Sequence, residues 1–192
     1  MRKSKVYIAL LHYPMYNKRK DVVTTSITNL DLHDIARAAR TYDVDGFYVV
    51  HPSASQQKLI TDILKYWQDG YGGQYNSDRK EAFNLVHMVD SLEKAAAMTA
   101  RSTGQTVITV ATDAHRYPNT ISYSDLKTEI FNEDRVFLLL FGTGWGMTRE
   151  LTESCDYILE PVDGAGDYNH LSVRSAVSII MDRLLGEYWF KE

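Results

Sequence analysis

The sequence predicts an α/β domain: one unit spanning residues 1–192, with a six-stranded, mostly parallel sheet flanked by helices. Three observations carry that prediction. Short apolar runs alternate with helix-period segments along all 192 residues. Most runs are rich in β-branched and aromatic residues and too short for helices. They are also apolar nearly throughout, the pattern of strands covered on both faces. No repeat, low-complexity tract or linker divides the chain, and its length suits one domain with a sizeable core.

The elements follow in order. KVYIALL (5–11) is the first strand. It follows a basic tip, but its apolar run is too short for a signal-peptide core and lacks a small-residue cleavage site. No stretch approaches a membrane span, so a cytoplasmic protein with no membrane partner is expected. Residues 31–42 place Leu32, Ile35, Ala36 and Ala39 on one helix face. GFYVV (46–50) is the second strand, and 55–68 a helix carrying Leu59, Ile60, Ile63, Leu64 and Trp67. AFNLVHM (82–88) is the third strand. Residues 91–102 form a helix opened by Asp90-x-x-Glu93, a capping-box variant. TVITVA (106–111) is the fourth strand, and Ser122-x-x-Asp125 opens a helix over 122–131. RVFLLLF (135–141) and DYILE (156–160) are the fifth and sixth strands. The last helix, about 170–185, has a stripe of Val173, Ala176, Val177, Ile180, Met181 and Leu184, with Asn169 a good N-cap before it.

Composition excludes several classes. The chain is 44% hydrophobic and 24% charged, which is ordinary for a globular protein. A net charge of −4 excludes a generally basic nucleic-acid coat but leaves room for a local basic face. The single cysteine, Cys155, excludes an intrachain disulfide and fits a reducing cytosol. It lies between Ser154 and Asp156 with no adjacent cation or histidine to form a thiolate, so it reads as structural. The six histidines show no ligand spacing, so no metal is expected.

In such sheets ligands sit beyond the carboxyl ends of the strands. The fifth strand runs into FGTGWGM (141–147), with Gly142, Gly144 and Gly146 spaced by two. Such a turn means either unusual backbone torsions or something approaching the main chain closely. No Lys-Ser/Thr follows, so it is not a phosphate-binding P-loop. Glu160 stands where a Rossmann acid would hold a ribose, but only one predicted strand follows the turn, against a nicotinamide-dependent oxidoreductase. Next, ILEPVDGAGDYNHLSVRSAVSII (158–180) ends a strand at Glu160-Pro161. It continues as an acidic glycine-containing loop with Asp163 and Asp167, then starts the last helix near Asn169 and His170.

These two C-terminal segments resemble the SPOUT superfamily of S-adenosylmethionine-dependent RNA methyltransferases. The likeness lies in a glycine-rich turn, a strand, and an Asn-led loop into N-x-L-S-V-x-x-A. NLDLHDIARAARTYDVDGFYVVHP (29–52) is similar to that superfamily's first motif, with Arg37 in place of the motif arginine. Asp34 departs from the asparagine of many members. HYPMYNK (12–18), ITNLDLHDIARAARTY (27–42) and YWQDGYGGQYNSDRKEAF (66–83) extend the likeness over essentially the whole chain, to a group of RNA methyltransferase domains.

The resemblance implies a deep C-terminal trefoil knot holding S-adenosylmethionine, with S-adenosylhomocysteine as product. It also implies a homodimer and a tRNA or rRNA substrate. By the family pattern Phe141, Gly142 and Gly144 contact the cofactor. So do Leu159, Glu160 and Pro161, then Asn169, Leu171 and Ser172, with Thr112 closing a third side. The catalytic candidates are Arg37, which would hold a phosphate or the target base, and Asp163, Asp167 and His170 beside the transferable methyl. An Arg37–Asp34 ion pair at i, i+3 is the structural alternative for Arg37. Lys18, Arg19 and Lys20 beside Tyr13 and Tyr16, and Arg79 and Lys80 beside Tyr71 and Tyr75, suit phosphate contact and base stacking. His12 and His33 are expected to join that face. The stripe on the last helix, with its small neighbours, suits a dimer interface. A module that keeps the cofactor pocket without catalysis is the alternative function.

Overall fold

The structure, a computed structural model, describes residues 2–166 and 168–187. The chain opens with β1 (Lys5–Leu11), β2 (Met15–Tyr16) and β3 (Val22–Val23), then α1 (Asn29–Thr41) and β4 (Gly46–Val50). Three helices follow: α2 (Ala54–Gln68), α3 (Tyr71–Tyr75) and α4 (Ser77–Phe83). Then come β5 (Val86–Val89), α5 (Leu92–Thr103), β6 (Val107–Ala111), β7 (Thr120–Ile121) and α6 (Tyr123–Asn132). The last elements are β8 (Val136–Gly142), α7 (Arg149–Ser154), β9 (Tyr157–Leu159) and α8 (Val173–Leu185).

The main sheet has the order β5-β4-β1-β8-β6-β9-β7, and every pair in it is parallel. It therefore has seven strands, not the expected six. The extra strand, β7, is only two residues long and pairs with β9 at the sheet edge. The third strand also differs: residues 77–83 are α4, and pairing begins only at Val86. A separate antiparallel ribbon joins β2 to β3.

Alternation along the strands fills two cores. Val6, Ile8, Leu10, Phe137, Leu139 and Phe141 pack with α1, α2, α4, α6 and α8. Tyr7, Ala9, Leu11, Leu138 and Leu140 face the opposite way, onto α5 and the start of the α7 segment. The central strand β8 is buried from Val136 to Phe141. Its near-continuous apolar run is what a parallel strand covered on both faces requires.

The helix caps explain most boundaries. Ser122 accepts from the Asp125 amide, as its spacing suggested. At α5 the cap is Ser91, which accepts from the Lys94 amide, while Asp90 pairs with Lys94. At α8 the cap is Ser172, which accepts from the Ser175 amide. Asn169 lies outside that helix, its carboxamide donating to the Ala114 carbonyl at 3.2 Å. The expected Asn169 cap is thus replaced by a hydroxyl three residues on, the kind of side chain that caps equally well.

Candidate functional site

Four loops meet at the carboxyl edge of the sheet, after β1, β6, β8 and β9. The loop after β8 is the glycine turn. Its backbone is tied to the segment after β1: the Tyr16 amide donates to the Gly146 carbonyl at 2.9 Å, and the Trp145 amide to the Tyr16 carbonyl at 3.1 Å. The Thr148 amide reaches the Pro14 carbonyl at 3.2 Å, and Met15 bridges to Met147. Thr143 completes the joint. Its hydroxyl lies 2.5 Å from that of Thr25 and donates to the Leu11 carbonyl at 3.0 Å.

That joint answers part of the question the glycines raise. A Cβ on Gly142 would lie 2.8 Å from Met147 Cγ and 3.0 Å from its amide nitrogen. Gly144 has φ +61°, and a Cβ there would meet Thr25 Cγ2 at 3.0 Å. Gly146 has φ +92° with open space beside it. So the turn itself demands all three. Gly164 and Gly166, on the loop after β9, differ. Neither has a positive φ, and a Cβ on either would meet nothing within 4 Å.

The loops after β6 and β9 are joined as well. Thr112 donates its amide and hydroxyl to the Leu140 carbonyl, at 3.2 and 2.8 Å. Asp113 accepts from the His115 amide at 2.8 Å and from the Tyr117 hydroxyl at 3.2 Å. Burial and the Asp113 carboxylate push the Tyr117 phenol up to about 12, so it stays a donor. Arg116 pairs with Asp163 across the two loops. Glu160 donates its amide to the Ile121 carbonyl at 3.0 Å, and its carboxylate accepts from the Tyr123 amide at 2.8 Å.

The structure distributes the expected site residues unevenly. Thr112, Gly144, Glu160, Pro161, Asn169, Leu171 and Ser172 lie on carboxyl-edge loops, and Gly142 ends β8. The side chains of Phe141 and Leu159 are buried in the core. His170 is exposed, its ring edge-on to Tyr168, and Asp163 is exposed beside Arg116. Asp167 lies outside the described residues.

Arg37 is exposed on α1 and makes no hydrogen bond or ion pair among the described residues. Asp34, its expected partner, instead accepts from Arg174 of α8 at 2.9 Å. Arg174 also lies 3.4 Å from Asp31. Arg37 and Ser172 line one groove of about 740 Å³ between α1 and α8.

Several expectations need correction. His12 is fully buried and cannot join an exposed face. His33 is only partly exposed, packed against Trp67 and Phe83. Val177, Ile180, Met181 and Leu184 of the α8 stripe fill the chain's own core. The groove is lined instead by Arg174, Ser175, Ser178 and Ile179 of α8, with Ser172 at its cap. Burial pushes the Cys155 thiol up to about 11, consistent with a structural cysteine. Among the described residues no group of acidic, histidine or cysteine side chains is arranged to hold a metal.

Sequence reasoning missed Trp145, Arg174 and the Asp113–Tyr117 pair. Trp145 alone had a visible signal, an indole standing among glycines. Arg174 depends on a partner 140 residues away, while Asp113 and Tyr117 are only four residues apart in a loop with no regular period to place them.

Comparison with known proteins adds a family. A family model described as SAM-dependent RNA methyltransferase matches residues 5–186. An uncharacterized protein of Aquifex aeolicus is 45% identical over 184 residues, covering 96% of this chain and 90% of that protein. A tRNA (guanine-N(1)-)-methyltransferase of Nitratidesulfovibrio vulgaris is 44% identical over 182 residues. That alignment covers 95% of this chain but 42% of the relative, so the chain spans less than half its length. In fold, the chain is similar to the SpoU methyltransferase AviRb of Streptomyces viridochromogenes, solved with AdoMet. The TM-score is 0.56 at 17% identity, over 96% of this chain and 58% of that one.

Proposed function

The chain belongs to the SAM-dependent RNA methyltransferase family, and from that premise we propose that it transfers a methyl group from S-adenosylmethionine to a nucleotide of tRNA or rRNA. The observation that carries the reading is the family match over residues 5–186, and the bare main chain at the carboxyl edge supports it. Gly146, Gly164 and Gly166 leave open space beside bare main chain on two of its loops. Residues 136–147 contain no Lys or Arg. Main-chain donors and acceptors with little positive charge fit an adenine edge, a ribose and a sulfonium.

When bound, S-adenosylmethionine supplies a methyl carbon already activated by its sulfonium. The protein has to align the acceptor and take up its proton. Thr112, Gly142, Gly144, Glu160 and Pro161 present main chain to the nucleoside, backed by Phe141 and Leu159. Asn169, Leu171 and Ser172 form the remaining wall. Arg37, without an ion pair among the described residues, holds a phosphate or the target base through its planar fork. Asp163, Asp167 and His170 are the candidate proton acceptors, and Asp163 must release Arg116 to serve.

A homodimer closing over the α1–α8 groove belongs to the same proposal. It is supported by the exposed small residues of α8 and by Arg37 facing that groove. A trefoil knot is supported by the path of the chain. From β8 it crosses β6 to reach β9, and α8 then returns to pack on α1. A knotted chain pulled by its ends would stop short of its full contour length. tRNA is the favoured class because it is the substrate type in the names of two relatives. A cytoplasmic location goes with that substrate and with the lone unpaired cysteine. No described helix is long and apolar enough to cross a membrane.

The test is a thermal melt with S-adenosylmethionine or S-adenosylhomocysteine, paired with methyl incorporation into tRNA and rRNA from a strain lacking the gene. Ligand at one hundred times its Kd adds about 2.7 kcal/mol. No shift with either ligand, or no label in any RNA, would overturn the proposal.

A further inference from the structure

The joint between the glycine turn and the β2–β3 ribbon does more than hold a loop. Gly144 and Gly146, at φ +61° and +92°, flank Trp145 and fix the direction of its Cα. The Tyr16 carbonyl fixes its amide. Yet the indole is 55% exposed and makes no hydrogen bond, ring contact or cation contact among the described residues. The turn fixes the backbone that carries the indole, and more than half of this large apolar side chain is left in water.

Its surroundings on the same joint are aromatic and cationic. Tyr13 is 49% exposed. Lys18, Arg19 and Lys20 are exposed on the ribbon turn. The Lys20 ammonium stands 5.3 Å from the centre of the Tyr16 ring. None of the three cations has an ion pair among the described residues, whereas Arg2, Arg40, Lys58, Lys94, Arg135 and Arg149 are all paired. The acid beside them, Asp21, accepts from Asn17. Three cations without ion pairs among the described residues, on the ribbon to which the backbone of an exposed indole is tied, match the two needs of an unpaired RNA segment: phosphate contact and a stacking surface.

We propose that Trp145 is a stacking platform for an unstacked base of the RNA substrate, with Lys18, Arg19 and Lys20 holding the phosphates beside it. The inference rests on the methyltransferase reading, since Trp145 sits between two residues assigned to the turn that borders the cofactor. A base stacked there is delivered to the edge where the methyl is transferred. Trp145 is thereby a positioning residue, not a catalytic one.

The experiment titrates unfractionated tRNA into the full chain at fixed salt, following binding and tryptophan fluorescence, with the S-adenosylhomocysteine melt shift measured alongside. Trp145→Ala should weaken tRNA binding by about tenfold or more, in the range seen for losing one base–aromatic stack. It should keep the wild-type shift with S-adenosylhomocysteine. Trp145→Phe should bind tRNA within a few-fold of wild type but lose the tRNA-dependent fluorescence change. Lys18→Ala with Lys20→Ala should weaken binding further as salt falls and flatten its salt dependence, by roughly one logarithmic slope unit for each lost phosphate contact. If Trp145→Ala binds and methylates tRNA like wild type, this inference fails while the methyltransferase reading stands. If Trp145→Ala loses the S-adenosylhomocysteine shift, the indole serves the cofactor and the inference also fails. If wild type neither binds nor methylates any RNA, the functional reading falls first.

Discussion

Gly144 and Gly164 look alike in the sequence, but only one of them is fixed by the fold. Gly144 combines a left-handed φ with a close approach to Thr25 and Tyr16. Gly144→Ala should therefore cost about 1–3 kcal/mol in urea unfolding. Gly164→Ala, with ordinary φ and open space, should stay within about 0.5 kcal/mol of wild type. Equal losses at both positions would refute this division of the glycines. The distinction was illegible in the sequence because the partner of the turn, Thr25, lies 118 residues from Thr143. The glycines themselves were plain; what pressed on them was not. His12 shows the same gap. It reads as a surface histidine beside a basic loop, yet it is fully buried with neither ring nitrogen hydrogen-bonded among the described residues. Burial, then the neighbouring His51, lowers it from 6.5 to about 4. The unfolded chain takes up a proton as pH falls below about 6.5, while the folded one stays neutral to about 4. Stability is thus unaffected above that window and falls across it by up to about 3 kcal/mol. His33, His51 and His87 are lowered too, and steepen the fall. Denaturation at pH 7 and pH 4.5 should show the loss, and His12→Leu should reduce it without destabilising the protein at pH 7. An unchanged pH profile in His12→Leu would remove His12 from this account.

At the scale of elements, the long periodic segments were readable and the short ones were not. α1 buries the face its spacing indicates, α8 buries most of its stripe, and α2 buries Ile60 and Leu64 but leaves Leu59 exposed. β7 has two residues, and α3 has five, two of them glycine. Such lengths give neither a period of two nor one of 3.6, and tertiary contacts alone decide them. The α1–α8 pairing was equally hidden, because Arg174 and Asp34 are 140 residues apart. That pairing separates two arginines on neighbouring helices. Arg174→Ala removes both ion pairs and leaves Asp31, only 9% exposed, without its cation. A loss of about 1 kcal/mol is expected, since the pairs are only partly buried. Arg37→Ala breaks no hydrogen bond or ion pair among the described residues and should leave unfolding within about 0.5 kcal/mol of wild type. Its methyl-transfer rate should nevertheless fall, by about a hundredfold if the guanidinium orients the acceptor. A stable Arg37→Ala protein of full activity would place the arginine on an ordinary surface.

For the molecule as a whole, the question is whether one chain holds a complete site. Arg37 belongs to the α1–α8 groove, while Asn169 turns to the loop after β6 through the Ala114 carbonyl. Ser172 is the only proposed cofactor-contacting residue that also lines the groove. If a second copy packs by two-fold symmetry on that groove, each Arg37 is carried to its partner's carboxyl edge. Two inactive variants then become informative together. Arg37→Ala lacks the orienting cation, and Asn169→Ala lacks a cofactor contact on the loop after β9. Unfolded and refolded as an equal mixture, half of the dimers should pair one variant with the other. Each such dimer regains one site with both residues intact, so the mixture recovers about a quarter of wild-type activity. Sites contained within one protomer would regain nothing, because neither chain carries both residues. Ser178→Arg, on the exposed groove, supplies the second arm. It should leave the melt of the isolated chain near wild type yet shift sedimentation to the monomer and abolish transfer. A dimeric Ser178→Arg protein would exclude this groove as the interface. A monomeric one with full activity would show that each chain works alone.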